Sequence, residues 1–190
     1  YGSIREALAI FAGDPLVHEP GTKFLYSTFG YNLAGAAAES ASGKDFATLL
    51  AEIVAGPAGM AATRIDDHFA VVPNRARGYA RPWGWIANAK LHDTSMKVPG
   101  GGLLATAGDL VRFASAVNAG KLLKPETVAA MWTPQTTRDG AATRYGLGWR
   151  ISGDGMARTV SHSGGQAGTA TFLLLEPESG RSVALLCNLE

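Results

Sequence analysis

The chain has 190 residues, of which 46% are hydrophobic, enough for one domain with a substantial buried core. Its formal net charge is +1 and its charged residues are scattered, which argues against nucleic acid as a partner. A single cysteine, Cys187, excludes an internal disulfide framework, and no apolar run approaches the ~18 residues of a transmembrane helix.

Residues 1–132 are predicted to form a mainly helical region. Ser27 or Thr28 can cap a helix that runs to about Ser42, and Asp45 can cap the next helix. Apolar residues with helical spacing predict one buried side on each helix, and Gly56-Pro57 should stop the second. These apolar residues are Phe29, Leu33, Ala36, Ala37, Phe46, Leu49, Leu50, Ile53 and Val54.

Residues 66–100 have little helical periodicity. The segment ARGYARP, residues 76–82, is typical of a short strand. The segment KVPGGGLLA, residues 97–105, is typical of a glycine-rich loop.

Two further helices are predicted after this stretch. Thr106 can cap the first, with Asp109 at the position where a capping box usually has Glu or Gln, and Gly120 ends it. Its predicted buried stripe consists of Leu110, Phe113, Ala114 and Val117. Pro125 suits the first turn of the second helix, over residues 124–132.

Residues 133–190 change to a period of two, which predicts antiparallel strands. Alternating runs lie at 145–151, 169–175 and 183–187, separated by the turn signals SGDG and EPESG. A helical region followed by a meander of three or more strands indicates the α+β class. We interpret residues 1–132 and 133–190 as two parts of one domain.

Several common motifs are absent from the sequence. SGKD at 42–45 has an aspartate after the lysine, so it does not match a phosphate-binding loop. The four histidines lack metal-ligand spacing and there is one cysteine, so we predict neither a metal site nor a cofactor. SHSGG at 161–165 lacks the first glycine of G-x-S-x-G, so Ser163 is predicted to be a strand hydroxyl and not a nucleophile.

Five ordered blocks resemble one known family: FLYSTFGY, NRAR, GGGLLATAGDLVRF, LKPETVAAMWTP and SHSGGQAG. The sequence is similar to the serine β-lactamase-like family, which includes class C β-lactamases, D-alanyl-D-alanine carboxypeptidases and related esterases. The likeness is greatest to its mitochondrial β-lactamase-like members and covers nearly the whole chain. It implies a β-lactamase/transpeptidase-like fold.

The resemblance also implies site residues. Members of the family use an S-x-x-K nucleophile motif, a Y-x-N motif and a K-T-G or H-x-G strand motif. Tyr26 matches the proton-shuttling tyrosine, and the Gly165 N–H matches an oxyanion donor. Thr28 replaces the usual asparagine, which weakens a polar contact to the substrate. The implied set is Tyr26, Thr28, His162, Ser163, Gly164 and Gly165.

The nucleophile motif is missing from this sequence. ASGK begins with Ala41 in the place of serine, and TSMK begins with Thr94 and comes after the tyrosine motif. We therefore expect a truncated piece of a longer serine hydrolase, without the S-x-x-K helix and the family's final helix, and inactive by itself. The alternative is a non-catalytic penicillin-recognising fold used for binding or assembly.

Three expectations follow for partners and geometry. The resemblance implies a small-molecule or peptide substrate and a periplasmic or secreted bacterial location. A truncated domain should expose an apolar patch that self-associates or binds the missing N-terminal segment. The side chains of Tyr26 and His162 should converge across the boundary between the two parts.

Overall fold

The computed structural model describes residues 1–189. Its helices are α1 (Ile4–Leu8), α2 (Thr28–Ser42), α3 (Phe46–Leu49), α4 (Gly56–Ala58), α5 (Val98–Gly101), α6 (Ala107–Asn118) and α7 (Pro125–Met131). Its strands are β1 (Arg64–Ile65), β2 (Tyr79–Ala80), β3 (Ala87–Asn88), β4 (Leu103–Leu104), β5 (Arg150–Ser152), β6 (Thr159–Gln166), β7 (Thr169–Glu176) and β8 (Arg181–Cys187). None of the helices in residues 1–189 is long and apolar enough to cross a bilayer.

Helix α2 begins and ends as predicted. The Ser27 side chain accepts a hydrogen bond from the Gly30 N–H at 3.1 Å, which satisfies one of the free donors of the first turn. Gly43 follows the last helical residue with φ 69°, a left-handed conformation that glycine adopts without a steric penalty.

The predicted buried side of α2 is confirmed only in part, because Phe29 and Ala36 are half-buried. Leu33 and Ala37 are exposed, whereas Asn32 and Gly35 are buried. The buried side differs because α2 packs against the glycine-rich helix α5. A Cβ on Gly35 would lie 2.3 Å from Pro99 Cγ. Close backbone approach therefore selects the small-residue side of α2 over its most apolar side.

The second helix is longer than predicted. Asp45 caps it, but it continues beyond Gly56-Pro57 because a π-helical segment over Leu50–Ala55 joins α3 to α4. Proline is tolerated there since it lies in the first turn of α4. The wide turn also changes which side is buried, so that Ile53 is exposed and Ala55 is buried.

The stretch from 66 to 100 contains more structure than predicted. The strand in ARGYARP is confirmed as β2, which pairs antiparallel with β3 in a hairpin. The predicted loop KVPGGGLLA is instead α5 followed by β4, which pairs with β1. Glycine lets α5 pack closely against α2, because a Cβ on Gly100 would lie 2.6 Å from the Thr28 carbonyl oxygen.

Helix α6 and its buried stripe are confirmed. The Thr106 side chain accepts from the Asp109 N–H at 3.1 Å. The Asp109 carboxylate, which is almost fully buried, accepts from Ala62 N and Thr63 Oγ1, each at 2.9 Å, and pairs with Arg112. The Asp109 carboxylate therefore anchors the loop before β1, and the Asp109 N–H takes part in the cap of α6.

The predicted C-terminal meander is confirmed as a four-stranded antiparallel sheet in the order β5-β6-β7-β8. Its inner face carries Val160, Leu173 and Leu175, which pack with α6, α7 and two tryptophans in the main core. The opposite side, here called the outer face, carries Ser163, Phe172, Leu174, Val183 and Leu185.

The first predicted strand is largely a loop. Residues 145–149 form no strand, and the β-bridge recorded for them is the isolated pair Tyr145↔Arg150. A Cβ on Gly146 would lie 2.1 Å from the Met131 carbonyl oxygen, so this segment turns tightly around the end of α7.

Candidate active site

Tyr26 and His162 converge between the helical region and the sheet. Tyr26 directly precedes the cap of α2, and His162 lies in the middle of β6. Their ring centroids are 6.0 Å apart. The expected convergence of these side chains is confirmed, whereas their chemical roles and the division of the chain at residue 132 stay predictions.

Tyr145 is a third ring of this cluster, and the sequence analysis missed it. Its Oη lies 2.7 Å from His162 Nε2, and its ring centroid is 6.2 Å from that of Tyr26. The sequence analysis assigned Tyr145 to a regular strand. Gly146 and Gly148 were the available signal, because glycines at alternate positions interrupt a strand and favour a loop.

Burial sets the protonation of this cluster. Burial, with smaller contributions from negative charge on Tyr31 and Tyr26, raises the pKa of Tyr145 to about 12. Burial lowers the pKa of His162. A hydrogen bond with the Ser163 backbone opposes this shift, and the positive charge of Arg150 adds to it. At pH 7 the Tyr145 phenol is therefore protonated and the His162 imidazole is neutral.

One edge of β6 is open beside these rings. β5 pairs with β6 only at Thr159–Ser161, whereas residues 162–166 pair with β7 on their other side. Within residues 1–189, no strand covers this edge of 162–166. A Cβ on Gly165 would meet nothing within 4 Å, so backbone at this position is accessible to a ligand.

The other predicted site residues lie outside the ring cluster. Ser163 pairs with Phe172 on the outer face, whereas His162 pairs with Leu173 on the inner face. Thr28 borders Gly100 in the contact between α2 and α5. A Cβ on Gly164 would lie 2.5 Å from Thr171 Oγ1, so the contact between β6 and β7 favours glycine there.

The ring cluster is a shallow site. Tyr26 is 52% exposed. Two clefts, of 380 Å³ beside α7 and 170 Å³ beside the π-helical segment, are lined by neither Tyr26 nor His162. Among residues 1–189, no three His, Cys, Asp or Glu side chains are grouped closely enough to hold a metal ion.

The chain belongs to the β-lactamase family, whose sequence model matches residues 2–190. It is 32% identical to the serine β-lactamase-like protein LACTB, mitochondrial, of mouse and of human, over 97% of this chain and 41% of each relative. The chain therefore spans less than half the length of these relatives.

The fold is that of penicillin-binding proteins and related amidohydrolases. A penicillin-binding protein from Bacillus halodurans superposes with a TM-score of 0.85 at 23% identity, covering 100% of this chain and 58% of that protein. A D-stereospecific amidohydrolase from Streptomyces sp. gives 0.80 at 21% identity, covering 95% and 55%. The predicted family and α+β fold class are thus confirmed, for a partial domain.

Proposed function

We propose that this chain is part of a serine hydrolase that cleaves amide, ester or β-lactam bonds through an acyl-enzyme. The convergence of Tyr26 and His162 beside the open edge of β6 carries this proposal. Membership of a family that includes penicillin-binding proteins and amidohydrolases supports it.

Tyr26, the open edge of β6 and the Gly165 N–H would each have a role in acyl transfer. Tyr26, half exposed, would take the proton of a serine nucleophile and pass it to the leaving group. The open edge of β6 would align the substrate backbone as an added strand, and the Gly165 N–H would stabilise the oxyanion. Because His162 is neutral, we assign activation of the tyrosine to the lysine of the family's S-x-x-K motif, which this sequence does not contain.

The charge near the site supports an anionic substrate group. Arg150 is exposed, and its charge acts on both Tyr145 and His162. A guanidinium at this place would bind a substrate carboxylate, such as that of a peptide or a β-lactam. Thr28 in place of asparagine, and His162 in place of lysine, argue against an efficient β-lactamase.

The proposal is tested in two proteins. The 190-residue chain alone should not hydrolyse a chromogenic cephalosporin or a p-nitrophenyl ester above background. A longer protein with an upstream S-x-x-K should be acylated at that serine by a fluorescent penicillin or a fluorophosphonate. In the longer protein, Tyr26→Phe should slow acylation at least about hundredfold, since it removes the proton carrier.

A second tyrosine provides the control for Tyr26→Phe. Tyr1→Phe, at an exposed tyrosine outside the ring cluster, should leave acylation unchanged. Normal acylation of the Tyr26→Phe protein would exclude its proposed role. Labelling of Ser163 by the fluorophosphonate would indicate a different hydrolase.

A second candidate is a non-catalytic role in binding or assembly, favoured by the uncovered apolar outer face of the sheet. Absence of acylation in a longer protein that does contain S-x-x-K would favour this role.

A periplasmic or secreted bacterial location is part of the main proposal. The relatives include mitochondrial LACTB and penicillin-binding protein 4* of Bacillus subtilis.

A further inference from the structure

The β2–β3 hairpin, residues 77–90, exposes large apolar side chains at its tip. Trp83 is 83% exposed, Trp85 59% and Ile86 60%. The two indole rings contact each other, with centroids 5.6 Å apart. Side chains of this size remain mostly exposed here, so core packing does not explain their presence.

The turn at the tip is an unfavourable place for tryptophan. The Trp85 N–H donates to the Pro82 carbonyl oxygen at 3.4 Å, which closes a four-residue turn. Its two central residues, Trp83 and Gly84, have φ values of 53° and 94°. Turns with positive φ at both positions favour Asn, Asp or Gly at the first one. A bulky residue in this conformation is uncommon, and together with its exposure it motivates a search for a function.

Unpaired cations flank the tip. Arg77, Arg81 and Lys90 are exposed, and none of them forms an ion pair within residues 1–189. The sequence contains no acidic residue between Asp67 and Asp93. The hairpin is therefore positively charged as well as apolar, although the whole chain is nearly neutral.

The base of the hairpin is held against the sheet. The Tyr79 N–H donates to the Asn188 carbonyl oxygen at 2.8 Å, and a Cβ on Gly78 would lie 3.1 Å from Gly168. Gly168 lies in the turn between β6 and β7, directly beyond the open edge at 162–166. The hairpin is thus anchored at the end of the sheet where β6 turns into β7.

We propose that this hairpin docks on the surface of an anionic lipid bilayer. Trp83, Trp85 and Ile86 would enter the interfacial layer, where indole rings are preferred. Arg77, Arg81 and Lys90 would contact the lipid phosphates, attracted by the negative surface potential. This surface fits a bilayer better than a nucleic acid, because the indole planes are tilted by 47° and form no flat stacking platform. The proposal does not depend on the hydrolase assignment.

Tryptophan fluorescence reports directly on the tip. The chain has four tryptophans, and Trp132 and Trp149 are 7% and 4% exposed, so a change in environment on binding comes from the hairpin. The 190-residue chain is titrated at low salt with phosphatidylcholine vesicles that contain about 30% phosphatidylglycerol, an anionic lipid. We expect a blue shift, quenching by brominated acyl chains, and reversal by about 0.5 M salt, which screens the charges.

Variants separate the contribution of the apolar side chains from that of the cations. Binding of each variant is measured by vesicle co-sedimentation. Trp83→Ala with Trp85→Ala should abolish binding. Arg81→Gln with Lys90→Gln should weaken it about 25-fold, at about fivefold per cation. The matched control, Leu33→Ala with Ile53→Ala, removes exposed apolar groups from two helical segments outside the hairpin and should bind normally.

Several outcomes would overturn the proposal. They are no binding to anionic vesicles, equal binding to pure phosphatidylcholine, and loss of binding in the Leu33→Ala, Ile53→Ala control alone. A blue shift with a single-stranded oligonucleotide but not with vesicles would assign the hairpin to nucleic acid. All the substituted side chains are exposed, and circular dichroism verifies the folding of each variant. If a tryptophan variant misfolds, brominated-lipid quenching in the unaltered chain still decides whether the tip enters the bilayer.

Discussion

At the scale of single residues, the hydrogen bond between Tyr145 and His162 determines where the imidazole proton lies. The Tyr145 phenol keeps its proton at pH 7, so it donates to Nε2 of the neutral ring across 2.7 Å. We expect His162 to carry its proton on Nδ1 and to titrate below about 6.5. Long-range ¹H–¹⁵N NMR measures both quantities.

Tyr145→Phe provides the comparison for this prediction. It removes a donor that favours the neutral imidazole, so the pKa of His162 should rise. An imidazole protonated at pH 7 in the unaltered chain, or an unchanged His162 titration in the variant, would contradict this account.

The lowered pKa of His162 also predicts a pH dependence of stability. The unfolded state takes up the proton first, near pH 6.5, because burial disfavours the charged ring in the folded state. The free energy of unfolding should therefore fall as the pH drops below about 6.5 and level off below the folded-state pKa. Urea unfolding across this range measures it, and His162→Gln should flatten the dependence. An equally steep dependence in His162→Gln would assign it to other groups.

At the scale of secondary-structure elements, the contact between α2 and α5 depends on Gly35. An alanine Cβ there would lie 2.3 Å from Pro99 Cγ, and this clash outweighs the gain in helix propensity. We expect Gly35→Ala to lower the free energy of unfolding by about 1–3 kcal/mol. Gly30→Ala, on the same helix with no atom nearer than 3.7 Å, should stabilise by about 0.5–1 kcal/mol. Chemical denaturation compares the two, and equal effects would show that packing is not the cause.

At the scale of the whole molecule, the outer face of the sheet predicts self-association. Val183 and Leu185 are 51% and 60% exposed on adjacent positions of one face, beside the half-buried Phe172 and Leu174. A second copy or a further segment of a longer chain would bury this surface. Sedimentation velocity should show concentration-dependent association of the 190-residue chain.

A charge on the outer face tests this expectation. Leu185→Lys should weaken association at least about tenfold, because an unpaired cation in an apolar contact is costly. Ile53→Lys, at an equally exposed apolar position on a helix, should have little effect. A chain that remains monomeric at high concentration would refute the prediction.

The sequence by itself determined the features that a few neighbouring residues encode. Ser27 and Thr106 cap their helices, Gly43 ends one, and alternation of apolar residues defines the meander. These features are local, because caps and turns depend on nearby side chains and backbone conformation. The ordered family blocks likewise identified the fold and drew attention to Tyr26 and His162.

Only the tertiary structure decided which surfaces meet. Apolar content favoured Leu33 as a buried residue of α2, but Gly35 is buried because its partner helix approaches closely at that point. Tyr145 lies beside His162 because its loop turns around the end of α7. Contacts with Met131 fix the path of this loop, and no local sequence pattern encodes them. Burial and long-range contacts arise only when distant segments pack, so sequence periodicity could place Tyr145 in the sheet region but not beside His162.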